Sequence, residues 1–554
     1  MIVLINHKSK ITMSQTIPIV IIGAGPIGLT AALDLQAHGI AAIVLEAKAP
    51  PPITATASAR GGSRAICFAK RSLEIWDRLG VVDEMRAKGV TWNTGRLYYK
   101  DKAVYSFNLL PEAGHKHPAF INLQQYYVEE YLLAGYEKHP NHHVRWQHRA
   151  SHIQQEANGV WVEVESPDGP YRIHCQYVLA CDGAHSPTRK QLGLDFGGML
   201  FEERFLITDV KMKAPFPAER WFWFDPPFHH GNALLHMQPD NVWRIDLQLG
   251  PEADINEEKK PERVIPRIRA MLGAGVDFDL EWVSIYTFHS RRMARFVHQR
   301  VIFAGDSAHL VSPFGARGAN SGVQDVDNLI WKLALVLKGH APSQLLESYN
   351  DERTLAAAQN LFFTESSTAF IAPDSTAKRA LRDAVLELAQ DYAFARPLIN
   401  SGRLSTPTSY PNSALNTPDD GTFSQAKVAL GAPATDLPMV RYEAGAAQPS
   451  QFLGQIGGQF DVVFYGDVGP NWPPQPSSSL PMRIHSILPA HSPLPRTSPG
   501  QTLLHDDRGE WAKRYAAQPG SVYLFRPDQY LCARWRHYDP TALQNAITRA
   551  CGAT

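Results

Sequence analysis

No charge of one sign dominates this sequence: Lys+Arg and Asp+Glu each total 54, and no basic run breaks the balance. Nucleic acid is excluded as a main partner, because it needs a clustered cationic face. Cysteine is scarce. The five residues (Cys67, Cys175, Cys181, Cys532, Cys551) are scattered, odd in number and without a Cys-x-x-Cys. That argues against a disulfide framework or zinc site and fits a reducing cytoplasm. Long hydrophobic runs are also missing: the most membrane-like stretch, 17–33, is broken by glycines and proline and reads as strand, turn and helix. The opening "MIVLINHKSK" is too short an apolar stretch for a signal peptide, so residues 1–12 read as an extension ahead of a compact start at Met13. A soluble protein with no membrane partner is expected. There is no internal repeat. What the chain does have is apolar substance: 44% of 554 residues, enough for two or three packed domains.

Residues 17–46 read as a βαβ opening, with a strand at Ile19–Ile22, a helix at Leu29–His38 and a strand at Ala42–Glu46. Helix and loop patterns follow to about residue 150, then strands over 158–181 ending in "YVLACDG". From 203 to 296, segments such as "RWFWF", "NALLHMQ" and "VWRIDLQL" alternate with period two, which predicts an antiparallel sheet. "RVIFAGD" returns to a buried strand. A long helix follows, with one apolar stripe at Val323, Val326, Leu329, Ile330, Leu333 and Leu337. Helical sequence reaches about 398, and the Pro/Ser/Asn/Gly-rich 401–421 has the composition of a linker. The expected domains are 13–195 and 297–400 together, an inserted sheet at 196–296, a linker at 401–424, and a small α/β unit at 425–554.

Two stretches carry the chemistry. Gly23-Ala24-Gly25-Pro26-Ile27-Gly28 leaves a predicted strand and opens a helix, and Glu46 stands eighteen residues after Gly28 at the end of the next strand. Glycines there permit a tight turn, close approach to a pyrophosphate and close helix–strand packing, while the acid suits ribose hydroxyls. The motif predicts dinucleotide binding without choosing between NAD and FAD. Nearly three hundred residues later comes "GDSAHLVSPFGARGANSG". Gly305-Asp306 ends an apolar strand, where a carboxylate can meet a polyol chain. Pro313 stiffens the loop, and Gly315, Gly318 and Asn320 allow close approach at a helix N-terminus whose free N–H groups favour negative charge. That is a physically sensible seat for the N1/O2 edge of a reduced isoalloxazine.

Taken together over about 17–400, these stretches resemble the FAD-dependent aromatic hydroxylases typified by para-hydroxybenzoate hydroxylase and phenol hydroxylase. "GAGPIG" with "VLEA", "YVLACDGAHSPTR" with Asp182-Gly183 followed by Ser186 and Arg189, and "GDSAHLVSPFGARGANSGVQDVDNLIWKL" are similar to the family's three motifs in order. Ser307 stands where the family more often has alanine. The resemblance implies a Rossmann-like FAD domain with an inserted antiparallel substrate domain. It places Gly305, Asp306, Gly318, Ala319 and Asn320 against the flavin, Arg64 of "SRAICFAKR" at the FAD phosphates, and Gln125 at the ribityl side. Gln124 is the neighbouring alternative. The tail from about 425 resembles the thioredoxin-like extension of phenol hydroxylase; it lacks Cys-x-x-Cys, so a structural or subunit-contact role is expected.

The implied chemistry is reduction of FAD by transient NADH or NADPH, addition of O₂ at flavin C4a, and delivery of OH from the hydroperoxide to a phenolic ring. No second dinucleotide fingerprint marks a lasting nicotinamide site. The inserted sheet is the expected substrate wall, with Arg244, Asp246 and Gln248 on the face opposite Trp243, Ile245 and Leu247. His236, Arg244 and Arg60 are candidates to touch substrate, His229 and His230 are further proton handlers, and the matching proline carbonyl of the family places Pro313 over the ring. A cytoplasmic homodimer is expected. Two other readings stay open: an epoxidase or ring-modifying oxygenase acting on a bulkier secondary metabolite, and a flavin-binding protein without oxygenase activity. A halogenase fits poorly, because no "WxWxIP"-type stretch is present.

Overall fold

The computed structural model describes residues 16–51, 63–140, 142–273, 275–399, 405–443, 446–466, 480–492 and 503–553. The strand Ile17–Ile22 lies at the centre of the first sheet, parallel to Ala42–Glu46 on one side and to Tyr171–Ala180 on the other. Val301–Phe303 and Val144–Trp146 extend the parallel order outward. These strands are almost unbroken Ile, Val and Leu because both faces are covered, as parallel sheets require. The helix following the first strand is Pro26–Ala37, longer at its N-terminus than the sequence predicts, with proline in its first turn.

The substrate sheet is larger than expected. Alongside Gly197–Met212, Arg220–Phe224, Ala233–Met237, Val242–Gln248 and Phe278–Arg292, it takes in Thr94–Tyr99 and Lys102–Asn108. This corrects the helix-and-loop reading of the region before 150. Thr94–Tyr99 pairs with a strand more than a hundred residues away, and no local pattern reports such a partner. One face packs Leu206, Val210, Leu235, Trp243, Ile245 and Leu247 onto the helix Pro261–Leu272 through Val264 and Ile268. The other face looks toward the first unit.

The helix Gly318–Leu337 joins the parts. Its predicted stripe is buried, with Val323, Val326, Leu329, Ile330 and Leu333 all 1% exposed or less. Each contributes roughly 1.5–3 kcal/mol. Its polar side is buried too: Asp325, Asp327, Asn328 and Lys332 are covered by the helix Leu345–Ile371 and by the C-terminal unit. Lys332 Nζ donates to Glu352 (2.9 Å), and Arg526 donates twice to the same carboxylate (2.6 and 3.0 Å). Arg71 bridges Asp327 (2.9 Å), the Asp528 carbonyl (2.8 Å) and Gln529 (2.8 Å).

The segment expected to be a sparsely contacted linker is part of this seam. Tyr410 is buried, receives Arg353 on its hydroxyl (2.6 Å) and stacks on Tyr530, while Ser413 donates to Glu352 (2.6 Å). Its small polar residues cap buried charges. The C-terminal unit beyond it is a seven-stranded sheet, with Phe460–Tyr465, Met482–Leu488 and Leu503–His505 parallel and the others antiparallel.

Candidate flavin and substrate site

The glycines of the first motif divide the labour. Gly23 has a positive φ of 105°, and a Cβ there would press on the Cys181 carbonyl, so the first and second motifs abut. A Cβ at Gly28 would overlap the Gly23 carbonyl oxygen. At Gly25 a Cβ would meet nothing within 4 Å. The open side of this turn therefore lies over Gly25, where a pyrophosphate needs to approach, while Pro26 starts the helix without a donor to satisfy. Ile27 turns the other way and fills the space at Gly305 and Gly322. Glu46 is fixed by the Ala24 N–H (2.9 Å) and the Lys48 N–H (3.0 Å), which orients its carboxylate at the turn.

The second and third motifs are stitched together by Arg189. It donates to the Ser307 carbonyl (2.7 Å) and the Ala184 carbonyl (2.9 Å), and Ser186 caps its short helix. Asp182 accepts from the Thr188 N–H (3.0 Å), yet its Oδ1 is buried with no partner. Asp325 holds the third motif's turn and was not singled out in the sequence. It accepts from the Gly305 N–H (2.9 Å) and from Arg353 Nε (2.6 Å), and His309 Nε2 lies 2.6 Å away. Burial would raise the Asp325 carboxyl, but these neighbours hold it below its ordinary range. "GVQDVDNL" does show an acid on the helix, though nothing local says that it faces the turn.

Asp306 is treated differently. Its carboxylate makes no hydrogen bond or ion pair with any described residue, and burial pushes its pKa up, against the pull of His309 and Arg64. Such a group needs an outside donor, and the ribityl hydroxyls of FAD are donors. We expect Asp306→Ala to weaken FAD binding about tenfold or more, the worth of a hydrogen bond to a charged group. The stability of the flavin-free protein should hold or rise, since a partly buried acid without a partner is removed. Titration of apoprotein with FAD checks this, and wild-type affinity would remove Asp306 from the site.

The Gly318–Leu337 helix starts without a side-chain cap. Its first N–H groups, at Gly318, Ala319 and Asn320, have no partner inside the helix. The Asn320 side chain is fully used within the protein, bonding the Ala69 N–H (2.8 Å), Ser72 (2.7 Å) and the carbonyls of Cys67 and Ala316. Only its main chain is left for a cofactor. The Pro313 carbonyl accepts from the Ala316 N–H (3.1 Å) and closes the turn, with Gly315 and Ala316 at positive φ. Gln125 reaches the Ala65 N–H (3.2 Å) beside Arg64, whereas Gln124 turns away to the Pro239 carbonyl (3.2 Å). Arg64 is exposed and approaches Tyr286 and Asp306. An open glycine turn, an orphaned Asp306, an orphaned Asp182 Oδ1 and an uncapped helix start fit FAD.

On the substrate wall, Arg244 is consumed: it pairs with Asp209 through two 2.8 Å bonds and donates to the Ser63 carbonyl (2.7 Å). It positions the Arg64 segment against the sheet. His236 is buried with Nδ1 3.8 Å from Cys67 Sγ. Burial, with Arg220 and Arg244, pushes its imidazole well below the ordinary histidine value, which favours the neutral ring. His229 is tied to the Gln248 carbonyl (2.7 Å). Arg60 lies outside the described residues. The sheet and the loop of Phe314 and Gly315 wall a cavity of about 90 Å³, lined also by Phe222, Phe224, Phe370, Leu97 and Arg220.

A family profile described as "FAD binding domain" matches residues 16–364. A 3-(3-hydroxy-phenyl)propionate/3-hydroxycinnamic acid hydroxylase of Mycolicibacterium smegmatis is 29% identical over 67% of this chain, and the match spans 64% of that enzyme. A 12-dehydrotetracycline 5-monooxygenase/anhydrotetracycline 6-monooxygenase of Streptomyces rimosus subsp. rimosus is 32% identical over 67% of this chain and 73% of its own length. Among solved structures, the flavin-dependent monooxygenase PieE, in complex with FAD and substrate, matches 98% of this chain and 100% of its own at a TM-score of 0.78 and 21% identity, which is a likeness of fold. With the profile covering more than half of the chain and the three motifs in mutual contact, the chain belongs to the FAD-dependent aromatic hydroxylases.

Proposed function

We propose that this protein hydroxylates a phenolic ring, with NADH or NADPH as electron donor and O₂ as oxidant. FAD, when bound, supplies the activation of O₂ for transfer of one oxygen atom to the ring. The chain's own residues do the rest. Asp306 and the Gly318–Asn320 N–H groups orient the cofactor, and the aromatic wall of Phe222, Phe224, Phe314 and Phe370 excludes water and takes the ring. The observation that carries the reading is that Phe314 and Gly315 belong both to the flavin-seat loop and to the cavity wall, so a ring held there lies beside the seat.

In the same reading, residues 13–195 and 297–400 hold FAD, and 196–296, extended by the strands of 94–108, form the substrate wall. The sheet of 425–554, parallel at its centre and antiparallel at both sides, supports a thioredoxin-like unit with a structural task. The exposed Phe362, Leu381, Phe394 and Leu398 support a homodimer. A relative named for anhydrotetracycline also supports fused-ring phenols as substrates.

The test is a panel of phenols, with and without a carboxylate and with one or several rings, scored for stimulated oxidation of NADH and NADPH and for product mass. At least one phenol should speed oxidation and gain one oxygen atom. A panel in which every phenol leaves oxidation unchanged and unoxygenated would overturn the reading.

A further inference from the structure

Three polar side chains on the flavin-facing side of the substrate sheet carry atoms with no hydrogen-bond partner among the described residues, and the strand register brings them together. Arg220 lies opposite His236, which lies opposite Arg244. Two residues along the same strands, Phe222 lies opposite Leu234, which lies opposite Asp246. Cross-strand partners share a face, as do residues two apart, so Arg220, His236 and Asp246 occupy adjoining rows. Arg244 is spent on Asp209 and Ser63. The other three are not spent. Arg220 lines the cavity, and no ion pair or hydrogen bond of its side chain is found. His236 Nε2 is buried without a partner. The Asp246 carboxylate accepts from no donor, and its Oδ1 is buried.

Around them the same face is apolar, with Leu97, Phe222, Leu234 and Ile207 in the Asp246 row. A buried polar group left without a partner loses its hydration and gains nothing in return. Several at one spot beside a cavity mark the place of a ligand's polar group. Resting on the phenol reading above, we propose that Asp246 accepts the O–H of a phenol bound as the neutral acid, with Arg220 of the adjoining row at the cavity wall. Burial pushes Asp246 up to about 6, against the pull of Arg244 and Arg220, with Asp209 adding to the rise. The group is therefore ionised and purely an acceptor at pH 8. A phenolate has no proton to give and meets a like charge; an O-methyl ether has no proton either. Asp246 is thus a specificity determinant for an intact hydroxyl.

The test uses FAD-loaded protein and two probes, the phenol turned over fastest in the panel and its O-methyl ether, titrated at pH 8 against the absorbance of bound flavin. Wild type should bind the phenol about tenfold or more tightly than the ether. Asp246→Leu should bring the two within about twofold, and Asp246→Asn, which keeps a neutral acceptor, should fall between. FAD content is measured for each variant, and Asp246→Asn decides alone if the leucine variant loses flavin. A wild-type protein that hydroxylates the phenol while variants keep its full preference over the ether overturns this inference and leaves the phenol reading standing. A wild-type protein that hydroxylates no phenol overturns both.

Discussion

Gly25→Ala should fold as stably as the wild type and bind FAD more than about a hundredfold more weakly, whereas Gly28→Ala should lose stability and flavin together. The added methyl at position 25 meets no protein atom within 4 Å, and its backbone (φ −73°, ψ −177°) is ordinary extended chain open to alanine. Stability should change by no more than about 0.5 kcal/mol. The same methyl stands where the pyrophosphate must touch the main chain, and a hundredfold loss is about 2.7 kcal/mol. At position 28 the methyl overlaps a backbone oxygen, Gly23 O, which cannot rotate away. Moving the turn should cost about 1–3 kcal/mol and displace the helix start. FAD titrations of the apoproteins and their urea midpoints separate the two outcomes. A Gly25→Ala protein that binds FAD as tightly as wild type would place the pyrophosphate elsewhere.

Glu352→Ala should destabilise the protein by about 3–5 kcal/mol, the penalty for leaving buried cations without their anion. Arg526, Lys332, Asn328 and Ser413 all point at this one carboxylate. Burial alone would raise its pKa, but Arg526 and Lys332 hold it far below the ordinary 4.5. A depressed acid contributes stability that is present above the unfolded-state value and lost as pH falls toward the folded one. Wild type should therefore weaken progressively below about pH 4.5, and the variant should lack that share of the slope. Removing residues from 425 onward takes away Arg526 and uncovers Trp331, Leu335 and Leu345, so the truncated chain should aggregate. Urea unfolding across pH 3 to 7 and sedimentation of the truncation are the measurements. A soluble, flavin-bearing truncation would show that the seam is dispensable.

The parts of this fold that the sequence announces are those whose reasons are local. "IVIIGAGPIG" contains its strand, its turn and its helix start within ten residues, and "VIFAGDS" ends a strand on an acid with no need of distant help. What stayed hidden depends on partners far along the chain. Thr94–Tyr99 becomes a strand because Arg220–Phe224 pairs with it. Tyr410 and Ser413 have the composition of a loop and act as caps because Arg353 and Glu352 await them. Asp325 follows the same rule: its spacing puts it on a helix, but only the folded chain shows it bonding the Gly305 N–H. Arg244 was legible as a polar residue on a sheet, while its salt bridge to Asp209 was not, and that pairing moves it from substrate contact to positioning.

The Gly318–Leu337 helix ends its N-terminal turn at the flavin seat and buries Asn328 and Lys332 against Glu352, whose other cation, Arg526, comes late in the chain. That arrangement sets an order for biogenesis. When the five hundredth residue has been added, every flavin motif has been made, yet Glu352, against which that helix buries Lys332, still lacks Arg526. Local pieces such as the first βαβ turn can form early, as domains generally do during synthesis. A settled flavin seat therefore depends on Arg526 as well as on the flavin motifs, so its completion follows synthesis of the C-terminal sheet.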